Sequence, residues 1–231
     1  MVKDVARLKA SIVEVSKLMN SKGFICATDG NISIKLAKDR FLITPSGINK
    51  AFMKVSDLIV IDSKARVVSG NKKLKPSSEY RMHLKVYEMR PDVNAVIHSH
   101  PPYITAYTIA GATLPSNILP ELILTMGAIP ITTYSTPTSP DNAKIIEDYI
   151  KDYDAVVLKR HGLITIGEDV YSAYNKLEKI EHAALTGVIA KIMGGANSLP
   201  KDETERLLDM GKELGFLSDN CVTVCKKKLN D

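Results

Sequence analysis

Across residues 5–22 the apolar side chains Val5, Leu8, Ile12, Val15 and Met19 recur three or four apart. That spacing predicts one buried helix face, and Gly23 stands where a C-cap belongs. Short strand-like runs follow at 32–36, 41–44, 58–61 and 66–69, divided by Asp29-Gly30-Asn31 and Pro45-Ser46-Gly47; such clusters mark turns. A helix is expected from Ser78 to just before Pro91, with Tyr80, Leu84 and Tyr87 inward. A strand over 94–99, a helix over 102–110 closed by Gly111, a strand over 129–134 and a helix capped by Ser139 and running to Tyr149 come next. Two apolar strands, 154–158 and 163–166, meet at Lys159-Arg160-His161-Gly162. The longest helix spans 170–193 and stops at Gly194-Gly195; a last helix, 201–214, ends at Gly215. Several connections are too short for a parallel crossover, so the sheet is at least partly antiparallel. The economical organisation is one domain over 1–231, with a C-terminal tail at 216–231 free to move.

The chain has 231 residues, 45% of them hydrophobic and 25% charged. That suits one large α/β domain that needs no staple to fold. Thirty-one basic against 26 acidic residues leave a net charge of +5, spread along the chain except for Lys226-Lys227-Lys228. The pattern does not form a nucleic-acid patch, but it welcomes an anionic small molecule. Three cysteines, Cys26, Cys221 and Cys225, make no disulfide framework and point to a reducing, cytoplasmic setting. No run approaches the roughly 18 apolar residues of a membrane span. The first twenty residues are too regularly charged for a signal peptide.

Candidate chemistry begins at Val96-Ile97-His98-Ser99-His100-Pro101. On a strand, alternate side chains share a face, so His98 and His100 point the same way and can chelate one metal ion. A catalytic zinc site takes three protein ligands and leaves a position open. Of the five histidines, His161, in the turn between two apolar strands, is suitably placed to offer a third ligand. His83 and His182 lie inside expected helices and are given no functional part. Taken alone, His-x-His is also compatible with simple hydrogen bonding at a sheet end. Pro76-Ser77-Ser78-Glu79 opens a helix. Ser77 or Ser78 can serve as N-cap with Glu79 in the first turn; equally, two hydroxyls and free N–H groups there form an anion site, with a carboxylate placed to move protons. Thr28-Asp29-Gly30-Asn31-Ile32-Ser33 and Thr44-Pro45-Ser46-Gly47 offer hydroxyls, an amide and glycine backbone of the kind that cradles phosphate.

In order, Gly30-Asn31-Ile32-Ser33, Ile43-Thr44-Pro45-Ser46-Gly47, Pro76-Ser77-Ser78-Glu79, His98-Ser99-His100 and His161-Gly162 resemble the class II, zinc-dependent aldolases of the L-fuculose-phosphate aldolase type. The resemblance implies a three-layer α/β/α fold around a central, mainly antiparallel sheet, and a homotetramer with active sites at subunit interfaces. It implies one Zn²⁺ per subunit held by His98, His100 and His161, with Glu79 as the catalytic carboxylate that also touches the metal. It assigns Thr28, Gly30, Asn31, Ser46, Gly47, Ser77 and Ser78 to a phosphorylated substrate. The implied reaction is the cleavage or formation of a ketose 1-phosphate, giving dihydroxyacetone phosphate and a short aldehyde such as lactaldehyde. To work in both directions Glu79 is expected to have a pKa raised toward neutrality. The family's aldolases commonly bring a tyrosine from a neighbouring subunit in the stretch after the His-x-His helix. Here that stretch, 114–121, has none, and Tyr103, Tyr107 and Tyr134 stand as candidates. Relatives include sugar-phosphate dehydratases, 4-epimerases that carry Asp in place of Glu79, and a non-catalytic adducin-like scaffold expected to lack ligands.

Overall fold

The computed structural model describes residues 4–114 and 116–230; expectations touching 1–3, Pro115 and Asp231 lie outside the described residues. α1 (Val5–Ser21) leads into β1 (Asn31–Ala37) and β2 (Arg40–Ile43), then two single 3-10 turns, β3 (Ile59–Ile61) and β4 (Val67–Ser69). α2 (Tyr80–Met89), β5 (Ala95–Ser99), α3 (Pro102–Ala110) and α4 (Pro120–Met126) follow. Next are α5 (Pro140–Lys144), α6 (Glu147–Ile150), β6 (Ala155–Leu158) and β7 (Gly162–Gly167). The chain closes with α7 (Val170–Ile192), α8 (Lys201–Glu213) and α9 (Asp219–Asn230). The seven strands form one sheet in the order β4-β3-β2-β1-β5-β7-β6. Every pairing between neighbouring strands is antiparallel.

Strand alternation divides the core into two layers. Ile32, Ile34, Ala95, Ile97, Val157 and Leu163 pack under α1, α3 and α7 with Ile12, Val15 and Leu177. Val96, Val156, Ile164 and Ile166 face the other way, against Met82 and Val86 of α2 and Ile146 and Ile150. The architecture is therefore the expected helix–sheet–helix sandwich, buried on both faces. A third cluster joins Ile123 of α4 to Leu208, Leu217, Cys221, Val222 and Cys225. No helix among the described residues is long and apolar enough to cross a membrane.

Four expectations change. The 129–134 run makes only an isolated bridge, Ile131 to Val157, because Pro130 has no N–H to extend a ladder. The helix expected from Ser139 to Tyr149 divides into α5 and α6, which sets Ile146 and Ile150 into the core. On α2 the buried face is Met82, His83, Val86 and Tyr87, while Tyr80 and Leu84 are half-buried. Residues 219–230 form a further helix after the one expected to be last, and its Cys221, Val222 and Cys225 are buried. Both thiols crowd Gly127, whose added Cβ would stand 2.9 Å from Cys225 Sγ and 3.2 Å from Cys221 Sγ.

Ile97 is fully buried on β5, between β1 and β7. Ile97→Ala should lower unfolding stability by about 2–5 kcal/mol, through lost burial and a residual cavity. Urea titration measures the change, as a lower midpoint at unchanged slope.

Candidate metal centre

Three antiparallel strands bring the site together. On β5, His98 pairs with Asn31 of β1 on one side and Ile164 of β7 on the other. His98 and His100 share the face that looks toward α2. The turn before β7 supplies His161, with Arg160 in left-handed backbone at φ 61° and its N–H donating to Thr108 Oγ1 at 2.9 Å. Gly162 lets this turn close on β5: an added Cβ would collide with the Ser99 carbonyl and stand 2.9 Å from the His100 ring. The three rings form a triangle with centroids 4.6, 4.9 and 5.0 Å apart.

Glu79 completes the cluster from the start of α2. The serines were expected to cap this helix with Glu79 inside its first turn, but Glu79 is itself the N-cap residue and its carboxylate caps nothing. It is buried and turned into the site, with Oε2 3.1 Å from His98 Nε2 and Oε1 3.3 Å from His161 Nε2. One ligand atom from each of Glu79, His98, His100 and His161 lies within 4.8 Å of the others.

Proton bookkeeping shows that this donor set fits a cation. His98 Nδ1–H donates to the Leu163 carbonyl at 3.1 Å, so Nε2 is the ring nitrogen turned to the site. It faces Glu79 Oε2 and, at 3.0 Å, His100 Nε2. Asp29 Oδ2 lies 3.5 Å from His100 Nδ1, favouring the tautomer with Nε2 free. Glu79 Oε1 and His161 Nδ1 are buried without a hydrogen-bond partner. Burial and the neighbouring His98 push His100 down to about 4 and His161 to about 3, so both rings are neutral, as metal ligands must be. The expectation of a raised Glu79 pKa is not met. Burial pushes it up, but the His98 and His161 rings and the Asn31 amide outweigh that and hold the carboxyl below the usual range.

The anion-binding candidates lie alongside. Gly30 is in left-handed backbone at φ 69°, and an added Cβ would meet Ile25 and, at 3.1 Å, the His98 carbonyl. An isolated bridge, Pro45 to Pro76, sets the Ser46-Gly47 turn beside Ser77 and Ser78, with Ser46 N–H donating to the Lys75 carbonyl at 3.0 Å. Thr28, Ser46, Gly47 and Ser78 are exposed and Ser77 is buried. Asn31 is buried, and its side chain joins Glu79 to His83. Sequence reasoning missed Lys50. It is buried, and its Nζ donates to the Thr28 carbonyl at 2.8 Å and the Ile48 carbonyl at 2.9 Å, tying the two turns together. The signal was there in a lone lysine five residues after Pro45, but lysine is ordinarily solvated. Of the candidate tyrosines, Tyr107 is buried with an unpartnered hydroxyl, while Tyr103 and Tyr134 are exposed.

A cavity of about 780 Å³ lies elsewhere, between Arg90, Asp154, Lys176 and Phe216. Its charges answer one another, Arg90 with Asp92 and Asp154, and Lys176 with Asp154. The converging ligand atoms of the histidine cluster make the stronger candidate.

The class II aldolase and adducin N-terminal domain profile matches residues 10–187. An L-fuculose phosphate aldolase of Methanococcus maripaludis is 30% identical over 172 residues, 74% of this chain and 91% of its own length. A 5-deoxy-D-ribulose 1-phosphate aldolase of Bacillus thuringiensis serovar kurstaki is 35% identical over 204 residues, 86% of this chain and 92% of its own. A solved L-fuculose 1-phosphate aldolase superposes with a TM-score of 0.79 at 29% identity, covering 89% of this chain and 96% of that one.

Protein isolated without chelator should carry about one divalent ion per chain by ICP-MS. His98→Ala, which removes the ligand shared by both neighbouring contacts, should drop the content below a tenth. Full occupancy in that variant would place the ion elsewhere.

Proposed function

The chain belongs to the class II aldolase and adducin N-terminal domain family, and we propose that it is a zinc-dependent aldolase acting on a ketose 1-phosphate such as L-fuculose 1-phosphate. The products of cleavage are dihydroxyacetone phosphate and a short aldehyde such as lactaldehyde. With its relatives and its His/Glu cluster, the chain is a metal-binding lyase of the class II aldolase type. The observation that carries the finer reading is that the turn at 28–31 meets the cluster, Asp29 at His100 and Asn31 at Glu79, and is tied by Lys50 to the turn that ends at Ile48. A phosphate bound at those turns leaves the carbon skeleton of a short ketose within reach of Glu79. The same reading makes the protein a single domain over 1–231 and a cytoplasmic homotetramer, with a neighbouring subunit completing the aldehyde side.

A divalent ion at the four residues supplies a Lewis acid for the ketone oxygen, where negative charge develops as the carbon–carbon bond breaks. The chain's own groups do the rest. Hydroxyls of Thr28, Ser46, Ser77 and Ser78, with the N–H groups of Gly30 and Gly47, hold the phosphate and fix the ketose in one orientation. The Lys50 ammonium keeps the turns in register and adds positive charge beneath the anion. Glu79, ionised when free, takes the proton from the carbon beside the carbonyl in the synthetic direction and returns it in cleavage.

A dehydratase or 4-epimerase would use the same metal ligands. Glu79 in place of Asp favours the aldolase over the epimerase. The four ligands together weigh against an adducin-like scaffold.

A retro-aldol assay across several ketose 1-phosphates should release dihydroxyacetone phosphate; loss of substrate without that product would instead mark a dehydratase or epimerase. Glu79→Gln should slow exchange of the dihydroxyacetone phosphate C–H proton with solvent by about 10²–10⁴-fold, read by NMR in deuterated water. Normal exchange would take Glu79 out of its role. Ser77→Ala combined with Ser78→Ala should raise KM for the ketose phosphate at least about tenfold, the weight of a hydrogen bond to a charged group; an unchanged KM would move the phosphate elsewhere.

A further inference from the structure

His83 has no part in the reading above, yet it is almost completely buried beside the site. Glu79, His83 and Tyr87 lie four apart on one stripe of α2, and Asn31 and Ser33 share one face of β1. Stripe and strand face each other, and five side chains form one hydrogen-bonded line. Asn31 Nδ2 donates to Glu79 Oε2 at 3.0 Å. Asn31 Oδ1 meets His83 Nε2, His83 Nδ1 lies 2.7 Å from Ser33 Oγ, and Ser33 Oγ lies 2.8 Å from the Tyr87 hydroxyl.

Donors and acceptors fix the direction of the whole line. An ionised carboxylate only accepts, so the Asn31 amide must present its NH₂ to Glu79 and its carbonyl to His83. His83 must then carry its proton on Nε2, which leaves Nδ1 to accept from the Ser33 hydroxyl. With that hydrogen engaged, Ser33 Oγ accepts from Tyr87. Burial keeps the His83 ring neutral, pushing it down to about 3. Tyr87 is buried and stacked on Phe41, with ring centroids 5.2 Å apart, so the far end of the line is anchored in the core.

We propose that His83, in the Nε2–H tautomer that the Ser33 hydroxyl satisfies at Nδ1, is a positioning residue that locks the Asn31 amide and so holds Glu79 Oε2 in place, leaving Oε1 free for the reacting centre. Rotation of the Asn31 amide by 180° would face its carbonyl toward the carboxylate and its NH₂ toward the His83 N–H, two repulsions in a dry site. The aldolase role of Glu79 comes from the proposed function; its place in the metal cluster does not depend on that reading.

The test compares His83→Phe, which removes the donor, with His83→Gln, which keeps an N–H near the position of Nε2. Outer partners of metal ligands commonly affect affinity or activity by about 10–100-fold. His83→Phe should therefore weaken Zn²⁺ binding to the apo-protein about tenfold in a chelator competition. In the loaded enzyme it should slow both deuterium exchange into dihydroxyacetone phosphate and kcat by about 10–100-fold, with KM within about twofold of wild type. His83→Gln should recover most of each loss. In an Asn31→Leu background, His83→Phe should cost kcat nothing further, since its effect passes through Asn31. If His83→Phe does not fold, Ser33→Ala takes its place, with an expected fall in exchange of at least about threefold at unchanged KM. Zn²⁺ affinity within twofold of wild type in a folded His83→Phe, a Gln variant as impaired as Phe, unaltered exchange in Ser33→Ala, or multiplying effects in the double variant would each overturn the proposal. The metal titration needs no turnover. A wild type without exchange would overturn the aldolase reading alone, and the titration would still decide the positioning claim.

Discussion

The register of β5 between β1 and β7 is the constraint on which the rest depends. Asn31 stands opposite His98, and His98 opposite Ile164. Because side chains alternate at period two, a slip of one residue would turn His98 and His100 to the other layer. The same slip would move Ile97 out of its own core layer and Val96 out of the opposite one. Hydrophobic burial on both faces of the sheet therefore fixes the position of the metal ligands, and the site needs no separate scaffold.

Close approach is the second condition. The His161 turn reaches the end of β5 because Gly162 has no side chain to meet the Ser99 carbonyl. Gly30 plays the same part on the other side, against Ile25 and the His98 backbone. The result is a cluster in which ring nitrogens of three imidazoles and a carboxylate oxygen converge within 4.8 Å of one another. Burial keeps His100 and His161 neutral, so their ring nitrogens have lone pairs to offer. A cation resolves the arrangement electrostatically. Groups disposed in advance around a developing charge are usually the largest catalytic contribution.

The polar line behind Glu79 shows how far the site extends into the core. Asn31, Ser33, His83 and Tyr87 are all buried, where an unsatisfied donor costs about 1–3 kcal/mol. Each finds a partner, and a satisfied buried network rigidifies what it touches. Lys50 does comparable work outside the metal cluster, joining the two turns through backbone carbonyls. Glu79 and the turns are thus held by residues outside the metal cluster itself.

Periodicity in the sequence determined most of the elements, since a buried face must repeat at 3.6 or 2 residues whatever lies opposite. The His-x-His strand, the His161 turn and the Pro-Ser-Ser-Glu helix start were legible for the same reason: local geometry alone sets which way their side chains point. What lies opposite was not legible. Pro130 limited a strand-like run to one bridge, and the apolar face of 219–230 mattered only once Gly127 and Leu208 were there to receive it. The settings of His83 and Lys50 and the side-chain partners of Asn31 were decided by tertiary structure alone. A polar side chain inside a helix or turn is solvated or buried according to what packs over it, and that depends on residues tens of positions away in the chain.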